Sequence, residues 1–156
     1  MVSITALLTL AASIAITAAS PVPAGAPEPK SVDNCNITSV YPSYSGWGLG
    51  YKPKDTVMDT NLLYSYRLNE EYQLQYSEEI LLEDCLEDCA GYGTANTCQG
   101  VHLGYMVPDE GSTAAPASQQ VGCFLFNRPL TGNDFAPPPV NGTWTYPKSV
   151  NLYCPS

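Results

Sequence analysis

The clearest periodicity in the chain runs over residues 77–90, where Leu82, Cys85, Leu86 and Cys89 recur at i, i+3, i+4 and i+7. Glu79, Glu83, Asp84, Glu87 and Asp88 gather on the opposite side. This spacing predicts an amphipathic α-helix. Ser77 is suited to the N-cap, Glu78 and Glu79 to the positive end of the helix dipole, and Gly91 to a left-handed C-cap. The stripe carries two cysteines one turn apart and pointing the same way.

Downstream the period shortens to two. Over 98–107, Val101, Leu103, Tyr105 and Val107 alternate with His102, Gly104 and Met106, as a strand with one buried face does. Further strands are predicted at 122–127 and 149–153. Residues 108–120, PDEGSTAAPASQQ, are too polar and proline-broken for a core element and read as a long mobile loop. Between Cys35 and Glu78 the pattern is weaker, with loops rich in Tyr, Gly and Ser and short strands at 62–66 and 72–76. One helix packed on an antiparallel sheet is the economical α+β arrangement.

The first residues add a compartment. Residues 1–19 form an apolar run without side-chain charge that ends in small residues, so they are expected to be a secretory signal peptide, leaving no membrane span after cleavage. Residues 20–34 are proline-rich and read as a flexible leader, and 35–156 as the folded domain. The length of 156 residues suits one domain. Fifteen acidic residues against six scattered basic ones, a formal charge of −9, argue against nucleic-acid binding and docking on anionic lipid.

The six cysteines change the picture most. Cys85, Cys89, Cys98 and His102 spell C-x3-C-x8-C-x3-H, which admits a zinc site. A secreted chain favours disulfides instead, and zinc leaves Cys35, Cys123 and Cys154 unexplained. Six cysteines allow about 15 pairings. Helical geometry removes a Cys85–Cys89 bridge and leaves the others open.

The helix ILLEDCLEDCAGYG, the strand opening CQGVHLGYMV, the strand GCFLF and outer cysteines at both ends resemble the PAN/apple domain family. The resemblance spans about residues 35–154. It implies an apple-like, disulfide-stapled fold with nested bridges: Cys35 with Cys154, Cys85 with Cys123, and Cys89 with Cys98. It also implies a non-enzymatic module that binds a protein or carbohydrate.

Asn36-Ile-Thr38 and Asn141-Gly-Thr143 are N-glycosylation sequons. His102 is the single histidine and reads as a solvent-side strand residue, with no nucleophile motif to accompany it. Carboxylates on the convex helix face diverge into water, unlike a glycosidase pair. The segment 41–51 is rich in aromatic residues and glycine, which makes Tyr41, Tyr44, Trp47 and Tyr51 the candidate ligand-binding residues. The expectation is therefore a secreted binding module that needs no cofactor or metal and whose partner is an extracellular protein or glycan. The alternatives are a small secreted microbial effector acting on a host component and, behind it, a small secreted hydrolase.

Overall fold

A computed structural model describes residues 30–46, 50–68, 76–108, 120–140 and 142–155. The signal segment, most of the leader, the 72–75 part of one expected strand and the core of the 108–120 loop lie outside these residues. The described fold is α+β. An antiparallel sheet of five strands contains β1 (Asn36–Ser39), β3 (Leu62–Leu68), β4 (Gly100–Tyr105), β5 (Val121–Phe126) and β7 (Thr145–Tyr153), in the order β1-β7-β4-β5-β3. A separate ribbon pairs β2 (Lys52–Pro53) with β6 (Phe135–Ala136). Among the described residues there are two α-helices, α1 (Asp55–Asn61) and α2 (Glu78–Gly91). Among the described residues no helix is long and apolar enough to cross a membrane.

Helix α2 is the expected one. It packs on β4, β5 and β7 through Leu81, Cys85, Leu86 and Cys89. Leu81 replaces Leu82 at the start of the buried stripe, and Leu82 is half-buried at its margin. The helix also runs through Gly91 to a cap at Tyr92, so the left-handed glycine is Gly93, at φ +67°. Opposite α2, Val101 and Leu103 of β4 and Val121 and Leu125 of β5 are fully buried, each contributing about 2 kcal/mol of transfer free energy.

Three disulfides staple this layer. Cys85–Cys123 ties α2 to β5, and Cys89–Cys98 ties its last turn to the chain entering β4. Cys35–Cys154 closes the β1–β7 ladder one residue beyond the Asn36↔Tyr153 pair. The bridges are nested first to sixth, second to fifth and third to fourth. Ahead of Cys35, the Lys30 N–H donates to the Glu87 carbonyl, and Val32 packs on the core.

The central strands are covered on both sides, which overturns the one-sided reading of 98–107. A second core of Tyr51, Val57, Val107, Phe124, Phe126, Leu130, Phe135 and Trp144 fills the face away from α2. It is roofed by α1 and the β2–β6 ribbon, of which α1 and β2 come from the stretch where the sequence pattern is weakest. His102 points into this core and is fully buried, not solvent-facing. Alternation along β4 therefore separates two interiors rather than an interior from water.

Candidate functional site

Strand β7 begins at Thr145, four residues before the expected start, and takes in Pro147. Proline cannot donate to a ladder, and the strand accommodates it by bulging: Leu103 pairs with Lys148, while Tyr105 pairs with Thr145. Two residues of β7, Tyr146 and Pro147, thus stand opposite one of β4, Gly104. Tyr146 sits in this bulge at φ +45°, and its neighbours Trp144 and Met106 are also left-handed, at +52° and +53°. The backbone is closed by the Trp144 N–H donating to the Met106 carbonyl at 3.3 Å. Left-handed backbone costs a bulky L-residue roughly 1 kcal/mol, and such strain persists only where the surroundings enforce it.

The surroundings are the second core. Trp144 turns inward and packs on Phe124 and His102, with ring centroids 5.2 and 5.7 Å apart. Gly104 makes this possible, because a β-carbon there would lie 3.0 Å from Trp144 Cε3 and 3.4 Å from His102 Nε2. From below, the Tyr51 hydroxyl donates to the Pro147 carbonyl at 3.3 Å.

Tyr146 turns outward and is 76% exposed. Its ring stands at 89° to that of Tyr105, with centroids 6.5 Å apart. Beside them Lys148 on β7 reaches Glu78, the first residue of α2, with Nζ and Oε1 3.4 Å apart. Burial, followed by the charges of Glu78 and Glu79, raises the Tyr105 pKa, so the phenol stays neutral. The result is an open aromatic face edged by a second ring and by an ammonium–carboxylate pair, equipped to stack on a ligand and hydrogen-bond it.

The candidate ligand-binding residues separate. Tyr41 is 60% exposed, as the sequence reading expects of a surface aromatic. Tyr44 is half-buried, with its hydroxyl oxygen enclosed and its pKa raised by burial. Trp47 lies outside the described residues. Tyr51 is 2% exposed, which corrects its assignment as a surface residue: it packs edge-on against Phe135 and supports the bulge from inside. Asn36 is exposed on β1, while Asn141 lies outside the described residues.

The sequence reading missed Tyr105 and Tyr146 as a pair. The available signal was Trp144-Thr145-Tyr146-Pro147, two aromatics in alternation before a proline, which marks a bulged strand entry.

His102 is placed for structure. Its Nδ1 lies 2.8 Å from Ser149 Oγ, its Nε2 has no hydrogen-bond partner among the described residues, and burial pulls its pKa down to about 3. Cys85, Cys89 and Cys98, its companions in the zinc reading, are all committed to disulfides on the other side of the sheet. Comparison with protein-family models, with curated proteins and with solved structures finds no match for the chain.

Proposed function

We propose that this protein is a secreted, non-enzymatic binding module, apple-like in fold, that recognises an extracellular glycan or protein through the Tyr105–Tyr146 face. The observation that carries the reading is Tyr146 itself, an aromatic ring held out to solvent from a left-handed bulge. Stable folds bury aromatic rings, and a strained exposed one is economically explained by what it contacts. The three disulfides and the apolar first segment support secretion. The buried, neutral imidazole supports binding over catalysis, because no substrate atom reaches it beneath Trp144.

A flat ring beside a hydrogen-bond donor and acceptor suits a pyranose, whose C–H face is apolar and whose rim is polar. The test is a glycan array probed with the oxidised protein, alongside affinity capture from extracellular extract, using wild type and Tyr146→Ala. Signal that disappears in the variant while the melting temperature holds supports the site. Undiminished signal from Tyr146→Ala, or turnover of generic ester, peptide or glycoside substrates by the wild type, overturns the reading.

A further inference from the structure

At the opposite end of β7 a different aromatic residue stands in the open. Tyr153 is 62% exposed and lies in direct register with Asn36 of β1. Residues so paired project from the same face of the sheet, with β-carbons about 5 Å apart. Thr38, which completes the Asn36-Ile37-Thr38 sequon, lies on that same face two residues along, and every residue of β1 is exposed. The Cys35–Cys154 bridge adjoins both residues and holds their spacing. Among the described residues β1 is also an edge of the sheet, with β7 as its single neighbour.

We infer that Asn36 carries an N-linked glycan whose first N-acetylglucosamine lies against the ring of Tyr153, covering both the ring and the sheet edge. The bond forms between Asn36 Nδ2 and the anomeric carbon of a lipid-diphosphate-linked oligosaccharide, with loss of an amide proton and departure of the lipid diphosphate. The apolar C–H face of the sugar removes part of the exposed ring from water. Its bulk also blocks edge-to-edge pairing with another chain, a hazard that short or obstructed edge strands avoid. This inference is independent of the Tyr146 site.

The experiment uses the full chain, secreted from eukaryotic cells with high-mannose glycans, in an Asn141→Gln background so that the second sequon is silent. Enzymatic release of the glycan converts Asn36 to Asp, which is read from the mass of its peptide. The melting temperature is then compared between a form trimmed to one N-acetylglucosamine and the sugar-free form, each in wild type, Tyr153→Phe and Tyr153→Ala. The one-sugar form is expected to melt roughly 2 to 5 °C higher where the ring is present, and the gap to close in Tyr153→Ala. Thr38→Ala is expected to abolish the modification and Thr38→Ser to keep it. An unmodified Asn36 overturns the inference, and so does a gap of equal size in Tyr153→Ala.

Discussion

His102 and Ser149 are paired across β4 and β7, and the imidazole Nδ1 meets the hydroxyl Oγ at 2.8 Å inside an aromatic compartment. Tyr51, Phe124, Phe135 and Trp144 surround the ring. Burial is the cause of its low pKa, about 3, against an ordinary value of about 6.5 in an unfolded chain.

Acid should therefore weaken the fold before the carboxylates titrate. Above about pH 6.5 the imidazole is neutral in both states and contributes no pH dependence. Between about 6.5 and 3 the unfolded chain takes up a proton that the folded chain refuses, so stability falls by up to about 1.4 kcal/mol per pH unit. Asp84 and Asp88, whose pKa values burial raises, act in the opposite sense near the carboxylate range. Denaturant midpoints at pH 7, 5.5 and 4.5 should decline in the wild type and stay level in His102→Gln. Parallel declines in the two proteins would show that the imidazole is not the cause.

Tyr146→Gly separates display from stability. Glycine adopts φ +45° without the penalty a tyrosine meets, so the variant should gain about 1 kcal/mol in chemical denaturation while losing the exposed ring. Ligand capture should fall by at least about tenfold, the equivalent of about 1.4 kcal/mol. A destabilised Tyr146→Gly would mean that the ring supports the fold and is not offered to a partner.

Removing the outer bridge should cost more than its half-buried position at the sheet margin suggests. Cys35 and Cys154 are 119 residues apart, and cross-linking so long a segment restricts the unfolded chain strongly. The Cys35→Ala/Cys154→Ala variant should lose about 2 to 5 kcal/mol. Amide exchange should rise first along β1 and the paired end of β7, since that ladder loses its closure. Uniform exchange over the whole sheet would instead indicate global destabilisation with no local role.

Asp134 anchors the turn that leads into β6. Its carboxylate receives both guanidinium nitrogens of Arg128, at 2.8 and 2.9 Å, together with the Thr131 N–H and hydroxyl. These bonds, the Arg128 contact foremost, hold its pKa at about 2. Asp134→Asn should cost about 1 kcal/mol at pH 7, a figure kept small because Arg128 is partly solvated. This contribution is present above about pH 3.8 and is lost as pH falls toward 2. The difference between wild type and variant should therefore vanish at the acid end of a stability profile.

The parts legible in the sequence are those governed by local periodicity. Helix α2 is marked by its apolar stripe and its acidic first turn, and β4 and β5 by alternating or continuous apolar runs. The resemblance to apple domains implies the same nested bridges that join these elements in the structure. Helix α1 left no signal, because its seven residues carry one buried side chain, Val57. Tyr51 and Tyr146 were misjudged or missed for a related reason. Both are tyrosines among glycine, proline and polar neighbours, and composition around them does not say which ring turns inward.

Chain composition and pattern alone determined an acidic, cysteine-bridged α+β domain with one amphipathic helix over antiparallel strands, since burial of a periodic apolar face depends only on residues a few positions apart. The second core, the burial of His102 and the outward turn of Tyr146 were decided by tertiary structure. Each depends on segments far apart in the chain meeting on one face of the sheet: Tyr51 beneath Pro147, Trp144 over Gly104, and β7 bulging against β4. Which side of a strand faces water is set by what packs on it, and that information is nonlocal.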